Sequence, residues 1–170
     1  MEAMKILITG AKGFIGRNLS AELRNQKYTE LYLYDHDSNH EDLEFYCQTC
    51  DFVFHLAGVN RPTDPKEFME GNFGFTSVLL NTLKNHNNTA PIMLSSSIQA
   101  ELDNDYGRSK KAGEQLLISY SHETGAQVYI YRFPNVFGKW SRPNYNSAVA
   151  TFWHNIARDL PIQVNDPSVL

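Results

Sequence analysis

The chain has 170 residues, with 15 Lys and Arg against 19 Asp and Glu, a net charge of −4, and 42% hydrophobic residues. That length suits one domain, the apolar content excludes a wholly disordered chain, and the acidic balance offers no polybasic footprint for nucleic acid. No apolar run approaches the ~20 residues of a membrane span, and the N-terminal apolar stretch is too short for a signal peptide, so no membrane partner and a cytoplasmic location are expected.

In chain order the hydrophobic period switches between strand and helix. Lys5 to Thr9 is a short apolar run that stops at Gly10, a buried strand. Phe14 to Arg24 places Ile15, Leu19 and Leu23 at four-residue spacing, one face of a helix. Glu30 to Tyr34 is a second strand ending at Asp35, Glu41 to Thr49 a weak helix, and Asp51 to Leu56 a third strand ended by Gly58. Pro65 to Lys84 reads as one long helix with Phe68, Phe75, Leu79 and Leu83 on one side. Ile92 to Ser96 is a fourth strand, and Asp105 to Thr124 a helix closed by Gly125. Gln127 to Phe133 is a fifth strand stopped by Pro134, and Tyr145 to Arg158 a last helix after the loop-like stretch Lys139 to Asn146.

Alternating strands and helices predict an α/β fold with a parallel sheet covered on both faces. Only 15 residues lie between Asp35 and Asp51, room for one crossover helix but not for helix, strand and helix. The expectation is a Rossmann-like, doubly wound sheet of about five strands, one short of the full dinucleotide-binding fold.

Gly10-Ala11-Lys12-Gly13-Phe14-Ile15-Gly16 joins the first strand to the first helix. Gly10 permits the tight turn, Gly13 lets a pyrophosphate approach the backbone, and Gly16 lets the helix pack on the sheet. Phe14 and Ile15 open a helix whose free N–H groups face the phosphates. Asp35 ends the second strand 19 residues after Gly16. A carboxylate there accepts from ribose hydroxyls and repels a 2′-phosphate, which points to NAD. His36 beside it can stack on adenine or offset that repulsion. The competing reading is a structural turn that binds no phosphate.

Tyr106 and Lys110 are four apart and share a helix face. A nearby ammonium is expected to lower the phenol from its usual value near 10, making Tyr106 an acid/base for ketone–carbinol interconversion. Lys110 is also placed to hold the nicotinamide ribose. Leu94-Ser95-Ser96-Ser97 ends a strand, where ligands of α/β folds bind, and Ser97 is the first choice to hydrogen-bond the reacting oxygen, Ser96 the second. The alternative for the Tyr–Lys pair is a solvated helix face.

These motifs, with His55-Leu56-Ala57-Gly58, Asn72 and Arg132-Phe133-Pro134-Asn135-Val136-Phe137-Gly138, resemble the extended short-chain dehydrogenase/reductases, the NAD-dependent epimerase/dehydratase enzymes of nucleotide sugars. A narrower resemblance is to capsular-polysaccharide enzymes, carried by Val59-Asn60-Arg61-Pro62, Ile98-Gln99-Ala100, Gly138-Lys139-Trp140 and Pro143 to Ser147. It implies a reductase domain acting on a UDP-linked 4-keto-6-deoxy-N-acetylhexosamine with NADPH, so NADPH by resemblance stands beside NAD by Asp35. It also implies that residues 1–170 are the NAD(P)-binding domain of a longer enzyme, without its C-terminal substrate-binding part. By resemblance Ser97, Tyr106 and Lys110 form the catalytic triad. Gly10, Gly13 and Gly16 line the pyrophosphate, and Leu56, Ala57, Gly58, Asn72 and Ser95 contact or frame the cofactor. Pro134 and Asn135 lie by nicotinamide and sugar. Asn60, Arg61, Gln99, Asn144 and Arg142 fall in or beside loops near strand ends, where they meet substrate or remain solvated polar groups. Members commonly pair through a four-helix bundle, which implies a homodimer through the helices at 65–84 and 105–124.

Within such a family dehydration is implied to use carboxylates just after the catalytic serine. Ile98 and Gln99 stand there and move no proton at neutral pH, which disfavours a dehydratase. A keto reductase ranks first and a 4-epimerase second. A cofactor-binding domain without activity is the non-enzyme alternative. Cys47-Gln48-Thr49-Cys50 lies late in its helix and has no second pair of zinc ligands at suitable spacing, so neither redox chemistry nor a metal is assigned to it. His55, on an apolar strand, reads as a satisfied core histidine, and Phe68, Phe73 and Phe75 as core or dimer face.

Overall fold

The computed structural model describes residues 3–164. β1 (Lys5–Thr9) runs into a turn at Gly10, whose φ of +69° belongs to the left-handed region that glycine favours. α1 (Phe14–Asn25) starts at Gly13 with no side-chain cap. β2 (Glu30–Tyr34) and β3 (Phe52–His55) flank α2 (His40–Thr49), where the Asn39 side chain accepts from the Asp42 N–H. α3 (Lys66–Phe68) passes through a π-helical segment, Met69–Gly74, into α4 (Phe75–Asn85). β4 (Ile92–Ser97) ends in a 3₁₀ turn, Ile98–Glu101, before α5 (Asp105–Thr124), which Asn104 caps and Gly125 closes at φ +75°. β5 (Val128–Phe133) and α6 (Ala148–Ile156) follow.

The sheet has five strands in the order β2-β1-β3-β4-β5, every pair parallel. The expected strand count therefore holds, with α2 alone crossing from β2 to β3. Leu7, Val53, Ile92 and Leu94 face Leu43 and Cys47 of α2, Leu79 and Leu83 of α4, and Leu117 and Tyr120 of α5. The alternate residues Ile6 and Ile8 face Leu19 and Leu23 of α1. Each fully buried leucine of this kind contributes about 1.5–3 kcal/mol. Among the described residues no helix is long and apolar enough to cross a membrane.

The long helix expected over 65–84 is instead interrupted. Gly71 and Gly74 weaken the α-helical ladder there, and the wide π turn lets Asn72, 4% exposed, face inward. The expected last helix is shorter, beginning where the Ser147 side chain accepts from the Ala150 N–H.

Residues up to Pro134 and residues from Asn135 on form two compact units. In the second, the Phe137 and Trp153 rings meet edge-on at 6.4 Å, and Asn144 takes a left-handed φ of 55°.

At Gly16 an added Cβ would stand 2.2 Å from the Gly10 carbonyl oxygen and 2.8 Å from Ala11 Cα. Both are backbone atoms of the turn, so relief requires the turn to move. Gly16→Ala is expected to cost about 1–3 kcal/mol, read as a lower urea midpoint. An unchanged midpoint would show that the turn opens freely.

Candidate active site

Strand ends place the site. The connection leaving β1 runs to β2 on one side and the connection leaving β3 runs to β4 on the other, so the crevice forms at the carboxyl ends of β1 and β3. β4 extends three residues beyond its last pairing with β3, carrying Ser95, Ser96 and Ser97 forward.

The Gly10 turn comes so close to the loop after β3 that an added Cβ would lie 2.7 Å from the Ala57 N–H nitrogen. Gly13 N–H donates to Gly10 O at 3.0 Å, and α1 begins without a side-chain oxygen on its first N–H groups. Those donors, on Phe14, Ile15 and Gly16, suit an anion. Asp35 accepts from the Lys12 N–H at 2.7 Å and pairs with the His36 ring nitrogen at 2.7 Å. Burial alone would raise the Asp35 carboxyl; the hydrogen bonds from His36 and Lys12 outweigh it and hold the group below its usual value. The Lys12 ammonium pairs with Asp37.

Beneath the crevice a chain of polar groups is buried. Ala57 N–H donates to Thr9 Oγ1; Thr9 Oγ1 meets His55 Nδ1 at 2.7 Å; His55 Nε2 meets Thr76 Oγ1 at 2.8 Å; and the Thr76 hydroxyl donates to the Asn72 carbonyl. A carbonyl only accepts, so the Thr76 proton is committed to Asn72 and His55 Nε2–H must be the donor to Thr76. Burial, with Lys110 adding to it, lowers His55 to about 3, so the ring is neutral and Nδ1 accepts from Thr9. The expectation of a satisfied core histidine holds. Asn72 accepts from Val59 N–H at 3.0 Å and donates to Val59 O and Ser109 Oγ, both at 3.0 Å. It joins the π segment to the loop after β3 and to α5. With its polar atoms engaged inside the protein, it acts by placing Gly58 and Val59.

Gly107 lets α5 seat on the turn after β4: an added Cβ would lie 2.2 Å from Gln99 O and 2.5 Å from Leu102 O. The contact brings the Tyr106 phenol near Ser97, whose hydroxyl oxygen accepts from Gln99 N–H at 3.2 Å. Lys110 Nζ donates to Ser95 O at 3.3 Å and lies 5.8 Å from the Tyr106 ring centre. An added Cβ on Gly58 would stand 3.0 Å from that nitrogen. Ser97, Tyr106, Lys110, Gly58 and Asn72 thus converge. Ser96, the second choice, is turned away and donates to Glu114 at 2.5 Å.

One expectation is corrected. The phenol of Tyr106 is raised, not lowered: burial pushes it up, and the nearby Ser97 hydroxyl opposes this only in part. Burial also lowers Lys110 to about 8, against the pull of Glu114. At neutral pH Tyr106 therefore holds its proton, the state a proton donor needs.

Phe68, read as core or dimer face, packs its ring 5.6 Å from that of Tyr106. Phe75 joins the core, while Phe73 is exposed. Leu56 and Ala57 follow β3 in the crevice, and Pro134 follows β5. Asn60 and Arg61 are exposed in the loop after β3, and Gln99 in the 3₁₀ turn. Asn135 and Asn144 belong to the second unit, Asn144 N–H donating to Thr151 Oγ1 at 2.8 Å. Cys47 and Cys50 are buried free thiols; burial raises both, Cys50 to about 12, which leaves them unreactive. Sequence reasoning assigned no role to Glu114 or Arg132, which bond each other between α5 and β5. The available signal was a carboxylate four residues beyond Lys110 on the same helix face.

The open α1 terminus, the close-packed glycine turn and the Tyr–Lys–Ser cluster fit a dinucleotide lying across the strand ends. Residues 6–167 match the NAD dependent epimerase/dehydratase family, and the chain belongs to it. It is 52% identical over 165 residues to a UDP-2-acetamido-2,6-beta-L-arabino-hexul-4-ose reductase of Pseudomonas aeruginosa, covering 97% of this chain and 44% of the relative. It also resembles the crystal structure of the capsular polysaccharide assembling protein CapF of Staphylococcus aureus, at TM-score 0.86 and 51% identity over 98% of this chain and 45% of CapF. The UDP-glucuronic acid 4-epimerase of Bacillus cereus in complex with NAD shares the fold at TM-score 0.80 and 22% identity, covering 94% of this chain and 64% of the epimerase. The chain thus spans under half the length of the first two proteins.

His55 gives the fold a pH dependence. A histidine titrates near 6.5 when unfolded, and here at about 3. Between those values the unfolded chain binds a proton that the folded chain refuses. Stability from this group is complete above pH 6.5 and is lost as pH falls toward 3, with a slope of up to about 1.4 kcal/mol per pH unit. His55→Gln should therefore cost less at pH 5 than at pH 7.5 in urea unfolding. Parallel pH slopes in the two proteins would contradict a neutral buried ring.

Proposed function

We propose that this chain is the cofactor-binding and proton-donating part of an NAD(P)H-dependent reductase that converts a UDP-linked 4-keto-6-deoxy-N-acetylhexosamine to the 4-hydroxy sugar during surface polysaccharide synthesis. The observation that carries this reading is the convergence of Ser97, a protonated Tyr106 and Lys110 at the end of β4. The relation to a named 4-ketohexose reductase selects the substrate class.

Gly10, Gly13 and the first N–H groups of α1 would hold the diphosphate. Asp35 would take the adenosine ribose, and Leu56 to Gly58, Ser95 and Pro134 would frame the nicotinamide. When bound, the dihydronicotinamide supplies hydride to the carbonyl carbon. Ser97 donates a hydrogen bond to the carbonyl oxygen, and Tyr106 delivers the proton that completes the alcohol. The Lys110 ammonium steadies the tyrosinate left behind. Asn60, Arg61 and Gln99 are assigned to the nucleotide sugar. Asp35 favours NADH, while the Lys12 ammonium beside it carries positive charge a 2′-phosphate would use, so the preference is decided by comparing the two cofactors directly. The site of action is the cytoplasm. Val78 on α4 and Ile118 on α5, both exposed, support pairing of two copies through these helices.

Tyr106→Phe in the whole protein should lower turnover of a UDP-linked 4-keto sugar by about 10²–10⁴-fold, followed by loss of NAD(P)H absorbance. Cofactor binding should survive: at 100 times Kd, ligand adds about 2.7 kcal/mol of stability, read by melting this chain with NADH and NADPH in turn. Near-normal turnover in the variant would remove Tyr106 from the chemistry. Absence of stabilisation by either cofactor would remove the dinucleotide.

A further inference from the structure

Glu114 is 4% exposed, and its carboxylate joins four pieces of the fold. Ser96 of β4 donates to Oε1 at 2.5 Å, and Arg132 of β5 donates through Nε to Oε1 at 2.8 Å and through Nη2 to Oε2 at 2.7 Å. The same guanidinium reaches forward through Nη1 to Glu101 at 2.7 Å, in the 3₁₀ turn that follows Ser97. Ser96 and Arg132 are paired neighbours across β4 and β5. One ion pair therefore fastens the end of β4, the turn after it and β5 to α5, the elements that carry Ser97, Tyr106 and Lys110.

Tyr106, Lys110 and Glu114 follow one another at four-residue steps along one face of α5. Lys110 and Glu114 reach consecutive residues of β4, the ammonium at the Ser95 carbonyl and the carboxylate at the Ser96 hydroxyl. Around Lys110 stand Tyr106 and Glu114 from α5, neutral His55 from β3, the Asn72 amide from the π segment and the Ser95 carbonyl from β4. Glu114 is the carboxylate in that set. Arg132 and the neighbouring Lys111 face it in turn and keep it ionised against its burial.

We propose that Glu114 is a positioning residue: clamped by Arg132 and Ser96, it fixes Ser97 and Tyr106 relative to each other and supplies the negative charge that keeps Lys110 protonated beside the phenol. It touches neither substrate nor cofactor. This inference rests on the reading of Tyr106 and Lys110 as the reacting pair, and its test is arranged to stand apart from that reading.

Lysine labelled with ¹³C at Cε reports the Lys110 ammonium directly, with Lys110→Arg giving the assignment and folding of each variant checked by near-ultraviolet circular dichroism. Glu114→Gln keeps shape and a hydrogen bond while removing the charge, and should move the Lys110 midpoint down by about half a unit or more. Arg132→Gln leaves the carboxylate and removes its counter-charge, so the midpoint should move up. Opposite signs are the signature, since loosening of the fold would move both toward an ordinary exposed lysine. An unchanged midpoint in Glu114→Gln, or shifts of the same sign in the two variants, overturns the proposal. If Glu114→Gln does not fold, the sign in Arg132→Gln decides alone. In the whole protein Glu114→Gln should lower kcat by about 10-fold or more, with KM and cofactor Kd within about twofold. Its alkaline limb should shift to lower pH. A wild-type protein without turnover, together with midpoints that move in opposite directions, would overturn the catalytic reading and leave this inference standing.

Discussion

The site depends on how closely two backbones approach where α5 meets the turn after β4. Gly107 leaves the space that the Gln99 and Leu102 carbonyls fill, and only a residue without a side chain fits at those distances. Asn104 caps the helix onto the Gly107 N–H at 2.7 Å, so the first turn of α5 is fixed in position as well as in angle. Tyr106 stands within that turn and Ser97 at the end of the strand, so their proximity follows from the seating of the helix. Lys110, one turn further, is carried to the Ser95 carbonyl by the same placement.

A second constraint runs beneath the crevice. The chain Ala57, Thr9, His55, Thr76, Asn72 has one consistent direction of donation, because it begins at an N–H and ends at a carbonyl. Every member is satisfied, so the burial of Thr9, His55, Thr76 and Asn72 in succession is tolerated. Its ends matter more than its middle. Thr9 immediately precedes the glycine turn, and Asn72 holds Val59 after β3 and Ser109 on α5. The loop suited to a diphosphate and the helix suited to proton transfer are thereby referred to one rigid set of bonds. The π segment serves the same end, turning Asn72 inward at a step where an ordinary helix would direct it along the surface.

What could be read without coordinates was whatever repeats or punctuates. The strands alternate with helices at a regular period, the turn at Gly10 is marked by its glycines, and the single short crossover from β2 to β3 follows from residue count; the end of α5 was legible because Gly125 marks it. The helix at 65–84 misled because its apolar spacing continues through Gly71 and Gly74, and periodicity does not register one extra residue in a turn. The direction of the Tyr106 shift was missed because sequence spacing reports the nearby ammonium but not the burial that outweighs it. Ser96 and Ser97 were separable only by register: one faces Glu114, the other the phenol. Glu114 and Arg132 lie eighteen residues apart with nothing in their spacing to join them; the pairing arises from β5 lying beside β4.

The chemistry such a site supports follows from what it can donate. Reduction of a ketone needs one hydride and one proton, delivered to carbon and oxygen respectively. On the proposed reading the protein's share is the proton, which a buried neutral phenol would hold until negative charge develops on the oxygen. A tyrosinate formed there would be the least stable species in a buried setting, and a charged Lys110 would meet it. That ammonium is itself weakened by burial, to about 8, so it needs a counter-charge that does not compete for the same proton. Glu114 meets this requirement because Arg132 and Ser96 hold its carboxyl below the ordinary range despite its burial. A neutral buried phenol beside an ammonium thus suits carbonyl reduction.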